Sequence, residues 1–272
     1  MHSSFVGKLG PVLILFGATV ISMNIGIAEP IAVRFVEGVQ HSFLVLSSLD
    51  GTIIADGETT QTVRRGRVTA QLTFRFRDGS MYEDKVVFSQ GTTFRLISDH
   101  LVEKGPAFPE PTDTLVNAST GQVTVRYKDK GGTEHVITKR MDLNVDLANG
   151  LVSTLLKNIS PTLAETNVSM VVATPKPRVI GLEIRPEGED SVAVGRLRAS
   201  AIRYVVKVKL GGIAGAVAPI LGKQPADTHV WILRGSVPAF LKSEGPLYDG
   251  GPIWRAEPVN PAIATTAGTH RH

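Results

Sequence analysis

The chain has 272 residues, 42% of them hydrophobic, which is enough for one large domain with a buried core. A formal net charge of +4 is too small to imply a nucleic-acid partner. The absence of cysteine excludes disulfides, a lipobox anchor and thiol chemistry.

The first element is a segment with Lys8, an apolar run from Pro11 to Ile21 and small residues at Gly26 and Ala28. Small residues three before and one before a cut after Ala28 fit a signal peptidase, so residues 1–28 are predicted to be an export signal. Twenty uncharged residues between Lys8 and Glu29 can also just span a bilayer as an uncleaved anchor. Gly17, Thr19, Ser22 and Asn24 dilute that stretch and favour removal. A long exported chain without disulfides reads as bacterial, and its expected location is periplasmic or secreted. The sequons at Asn117, Asn158 and Asn167 are then chance matches.

From residue 40 on, short alternating runs separated by Gly, Asp and Pro turns predict an antiparallel sheet. In Arg67 to Arg77, Val68, Ala70, Leu72, Phe74 and Phe76 share one face, while Thr69, Gln71, Thr73, Arg75 and Arg77 share the other. A return strand runs from Met81 to Phe88. A two-residue turn at Asp78-Gly79 would bury Glu83 and Lys85, whereas a loop of Asp78, Gly79 and Ser80 puts Tyr82, Val86 and Phe88 inside. Asp84 is then the misfit. Either a bulge resets the alternation there, or an inward carboxylate marks a polar spot in a cavity.

Further strands are predicted at Thr92 to Val102, Gly121 to Tyr127, Thr133 to Arg140, Asn167 to Ala173, Arg178 to Arg185 and Ala199 to Leu210, with weaker signals at His41 to Ser48 and Thr228 to Leu233. One helix is predicted between about Asp146 and Asn158, from the stripe of Leu147, Leu151 and Leu155, with Asp146 as its cap. Basic residues cluster at Arg64, Arg65 and Arg67 and from Arg196 to Lys209, which reads as a solvated sheet face rather than an anionic-partner site. Residues 257–272 read as a disordered tail, leaving 29–256 as the folded domain.

Motifs for chemistry are sparse. There is no Gly-x-Ser-x-Gly elbow, no phosphate loop and no metal-ligand spacing, so neither cofactor nor metal is expected. Asp227, His229 and Ser236 supply an acid, a base and a nucleophile close in sequence, the one combination from which a hydrolase could be imagined. The uncharged stretch from Leu210 to Leu221 is too short to span a bilayer. It reads as a glycine-kinked connection, with a lid or a membrane-surface loop as the functional alternative.

The passages LGGIAGAVAPILGKQP, VPAFLKSEGPLYDG and GGPIWRAE, with the QLTFRFRDGS hairpin, resemble an uncharacterised family of secreted bacterial β proteins. More loosely, the pattern is similar to periplasmic half-barrel domains of unknown function and to Lol-type lipoprotein carriers. The resemblance implies one antiparallel sheet wrapped around an apolar cavity. It brings no residue roles.

The expectation is therefore a mainly β protein: a single strongly curved antiparallel sheet, or half-barrel, with one amphipathic helix on its concave side. Its expected function is non-catalytic binding of a hydrophobic small molecule or lipid, with Leu72, Phe74, Phe76, Val86, Phe88, Leu151 and Leu155 as the lining. The alternative is a structural or protein-interaction module of the cell envelope. A secreted hydrolase is third.

Overall fold

In a computed structural model the described residues are 30–129, 131–173, 176–194, 197–209 and 225–259. The expected export signal, the stretch from Leu210 to Leu221 and the end of the expected tail lie outside them.

Among the described residues alternating sequences give fourteen strands. The first eight are β1 (Gln40–Ser48), β2 (Ile53–Arg64), β3 (Arg67–Phe76), β4 (Met81–Gln90), β5 (Phe94–Lys104), β6 (Thr112–Asn117), β7 (Gln122–Lys128) and β8 (Glu134–Arg140). After a short helix, α1 (Val152–Asn158), come β9 (Thr166–Val172), β10 (Arg178–Val194), β11 (Leu197–Lys209), β12 (Thr228–Leu233), β13 (Ala239–Gly245) and β14 (Trp254–Pro258). They form one antiparallel sheet in the order β8-β7-β6-β5-β4-β3-β2-β1-β14-β13-β12-β11-β10-β9. Two meanders are thus joined where β1 pairs with β14, and β8 and β9 are left as the edges. Mainly β, with one unclosed curved sheet and one helix, is the architecture expected from the alternation.

The sheet wraps around the helix because both meanders supply apolar inner faces. Val68, Phe88, Val116 and Val123 from the first and Ile184, Tyr204 and Val230 from the second pack in one cluster with Leu147, Leu151, Leu155 and Leu156. Each fully buried leucine contributes roughly 1.5–3 kcal/mol. A second cluster holds Leu44, Leu46, Ala55, Phe74, Phe76 and Phe108.

The helix is shorter than its leucine stripe suggests. Leu147 and Leu151 are buried as expected, yet Gly150 has φ +62°, which turns the chain before the helix starts. Asp146 does not cap it. Its carboxylate accepts from Ser169 Oγ at 2.8 Å, its carbonyl accepts from the Ser169 amide, and the Ala148 amide donates to the Ser169 carbonyl at 2.8 Å. Asn149 adds a pair of bonds to the Val171 backbone. The segment before α1 therefore satisfies edge strand β9, where an open row of backbone groups would otherwise invite another strand.

The β3–β4 hairpin keeps the expected faces but not the expected pairing. Its three-residue loop is Arg77, Asp78 and Gly79, closed by the Phe76 amide on the Ser80 carbonyl at 2.9 Å. Phe74 pairs with Tyr82, Leu72 with Asp84 and Ala70 with Val86, whereas a loop of Asp78, Gly79 and Ser80 would set Tyr82 opposite Phe76, Val86 opposite Leu72 and Phe88 opposite Ala70. The pairing of β3 with β4 runs unbroken through Asp84, and the irregularity between β4 and β5 falls at Val87/Phe88 instead. Asp84 therefore points inward. Of the two readings of that misfit, the polar spot stands and the bulge does not.

The basic stripe of β11 is an ion-pair ladder. Arg203 meets Glu187 and Asp190, Lys207 meets Asp227, and Lys209 meets Glu165 and Glu183. At the other end, β14 continues to Pro258, so Glu257 and Pro258 pair with β1 rather than starting a tail.

Candidate functional site

A strap of chain before β1, residues 31–38, crosses the end of α1. Its first part pairs with the β4–β5 turn: the Val33 amide donates to the Thr92 carbonyl and the Phe94 amide to the Ile31 carbonyl, both at 3.0 Å. Its middle is held by Asn158, which is 2% exposed and whose Oδ1 accepts from the amides of Arg34 and Phe35 at 2.8 Å each. The Asn158 amide group donates to the Thr154 carbonyl, which locks its orientation. Buried in this way, Asn158 presents no side chain for glycosylation. Farther along, Glu37 is tied to Gln90, Gln61 and Lys157.

Between strap, helix end and sheet lies a cavity of about 230 Å³. Leu156, Ile159, Ile202, Tyr204 and Ile232 form its apolar wall, and Arg34, Lys157 and Arg234 also line it. The Tyr204 hydroxyl donates to the Ile159 carbonyl at 3.1 Å, so the one polar atom in that apolar wall is satisfied. Val36 and Val237, 73% and 74% exposed, neighbour the lining residues Phe35 and Pro238 in sequence.

A second unusual place is inside the sheet. Along β4 the inward positions run Phe88, Val86, Asp84, Tyr82: two members of the first apolar cluster, a carboxylate, and a ring packed against the second. Asp99 pairs with Val86 across β4 and β5 and is 3% exposed. Glu103 and Thr112 lie across β5 and β6, joined by a 3.1 Å hydrogen bond from the Thr112 hydroxyl. One oxygen each of Asp84 and Asp99, and the Thr114 hydroxyl, are buried without a partner.

Burial is the main force on these groups. It raises the Asp99 carboxyl well above the usual range, and the neighbouring Asp84 raises it further, against an Asn149 hydrogen bond that lowers it. Burial likewise raises Asp84. Two buried carboxyls this close disfavour being ionised together. Glu103 is raised to about 7, mainly by burial and against its Thr112 bond. Gly150 makes this arrangement possible, since a Cβ there would lie 3.1 Å from Asp99 Oδ1, 3.3 Å from Asp84 Oδ1 and 2.9 Å from Val86 Cβ. At Gly150 the turn before α1 thus packs directly over the two aspartates.

Four of the seven residues expected to line a ligand space, Val86, Phe88, Leu151 and Leu155, pack in the first cluster. Phe74 and Phe76, with half-buried Leu72, belong to the second. None of the seven lines the cavity beside α1. The imagined triad does not assemble. Asp227 binds Lys207 at 3.1 Å and His229 faces Glu187 at 3.3 Å. Ser236 follows the opposite end of β12, roughly 13 Å of strand away from His229. Sequence reasoning missed the strap, the cavity and Asp99; only Asp84 carried a signal, as a charge on an apolar face.

Among the described residues no three His, Asp or Glu side chains are grouped to hold a metal, and no helix is long and apolar enough to cross a membrane. No family model matches the chain. No curated protein matches it either. Among solved structures the chain is similar to a beta-barrel-like protein of the domain of unknown function DUF1849 from Brucella abortus. That likeness has 8% identity, covers 83% of this chain and 98% of the other, and has a TM-score of 0.45.

Proposed function

We propose that the protein is an exported, non-catalytic binder of a hydrophobic small molecule, a lipid or acyl chain, taken up on the inner side of its curved sheet. The observation that carries this reading is the cavity of about 230 Å³ walled by Leu156, Ile159, Ile202, Tyr204 and Ile232. Its volume is below the roughly 300–1,000 Å³ of sites for drug-sized ligands, so it suits one short chain or the end of a longer one. Of the expected lining, Val86, Phe88, Leu151 and Leu155 share the apolar cluster that also holds Leu156, Ile159, Ile202, Tyr204 and Ile232. Mass spectrometry of organic extracts of the purified protein, with displacement of an apolar dye, tests the reading. Recovery of a lipid and dye displacement support it; no lipid and no dye binding overturn it.

A second reading, an interaction module of the cell envelope, draws on edge strand β8, which among the described residues pairs with β7 alone and exposes Val136. Cross-linking in intact envelopes separates the two. A dominant protein contact through β8, with no extractable lipid, favours the module.

A further inference from the structure

Of the three cations that line the cavity, two are already neutralised. Lys157 is paired with Glu37, and Arg234 Nη1 lies 2.7 Å from Glu189 Oε2. The Arg34 guanidinium has no ion pair among the described residues. Its backbone is nonetheless fixed, because the Arg34 and Phe35 amides both end on Asn158 Oδ1. A pinned main chain therefore carries one uncompensated positive charge to a small apolar cavity. That charge reaches the cavity wall: it works against the burial that raises the Tyr204 phenol. The planar guanidinium fork matches a carboxylate, and its charge-assisted hydrogen bonds are strong.

We infer that the ligand is a single-chain carboxylate, its alkyl chain against Leu156, Ile159, Ile202 and Ile232 and its carboxylate on Arg34. This rests on the apolar-ligand reading above and adds the headgroup. One unpaired cation matches a monoanion. A phosphate ester, with up to two negative charges, would call for a second free cation, and Lys157 and Arg234 are already paired.

The test uses the purified protein with labelled isoleucine methyl groups, titrated with octanoate, octan-1-ol and octyl phosphate. The expected result is octanoate binding with shifts at Ile159, Ile202 and Ile232, and binding of octan-1-ol roughly tenfold weaker, the effect of losing a hydrogen bond to a charged group. Arg34→Gln should reduce octanoate to about the level of octan-1-ol and weaken octan-1-ol far less than octanoate. Arg34 is exposed at the surface, so the variant should fold, and wild-type shifts at distant isoleucines check this. Equal affinity for octanoate and octan-1-ol, or an Arg34→Gln variant that binds octanoate as well as wild type, overturns the headgroup inference while the apolar-ligand reading stands. Tighter binding of octyl phosphate overturns the choice of carboxylate. Shifts that bypass those three isoleucines overturn the location, and no binding of any of the three probes overturns both readings.

Discussion

Gly57 lies under the ring of Phe74: a Cβ on Gly57 would come within 2.5 Å of Phe74 Cε1 and 2.8 Å of Leu44 Cβ. Phe74 is 1% exposed and packs within the second apolar cluster. Gly57→Ala should therefore destabilise the protein by about 1–3 kcal/mol, the usual cost of overpacking. Urea unfolding measures it. A change below about 0.5 kcal/mol, the scale of an ordinary surface substitution, would mean that the ring moves aside freely.

Asn158→Ala leaves two strap amides without their acceptor. Hydrogen exchange at Arg34 and Phe35 should accelerate strongly, while exchange in β4 and β5 stays as in wild type. Unchanged protection at both amides would show that another group holds the strap.

Glu103 makes stability depend on pH. Its folded value, about 7 against an ordinary 4.5, is raised, so the folded state binds the proton more tightly than the unfolded chain. Its contribution is complete below the unfolded value and is lost as pH rises through about 7, a difference on the order of 3 kcal/mol. Glu103→Gln keeps an acceptor for Thr112 and removes that titration. Denaturant melts at pH 5 and pH 8 should show a smaller loss of stability in the variant; equal losses would place the titration elsewhere.

Asp84→Asn removes the neighbour that raises Asp99 by charge and by hydrogen bonding. The Asp99 midpoint, followed by its carboxyl carbon resonance, should fall, but remain above that of an exposed aspartate because burial persists. A midpoint that does not move would show that the two carboxyls titrate independently.

How much of this could be read in advance varied with the range of the forces involved. Alternation is local, so the faces of β3 and β4 were legible residue by residue. Strand β2 was not, because Asp56-Gly57 reads as a turn; the glycine is there to make room for Phe74, a demand imposed from the neighbouring strand. The sequence TDTLVN of β6 hides its strand character because Thr112 and Thr114 face the polar interior opposite β5. The leucine stripe gave the core-facing side of α1 correctly, but nothing in it showed that Gly150 would take a positive φ to bring the chain against two carboxyls. Asp84 was visible as a misfit, whereas Asp99 was not, since their meeting depends on the pairing of β4 with β5. The strap alternates over only a few residues, and its partners come from β2, β4, the β4–β5 turn, β5 and α1.

Arg34 and Asn158 are separated by 124 residues, and strands β1 to β8 lie between them. Contacts so distant in sequence form late, because the closure entropy of the intervening chain must first be offset by nearer pairings. The first meander and the strap's bonds to the β4–β5 turn can form before the helix docks. The side of the cavity formed by Arg34 and Phe35 closes onto Asn158 only with that docking, and until then its apolar floor faces whatever surrounds the newly made chain.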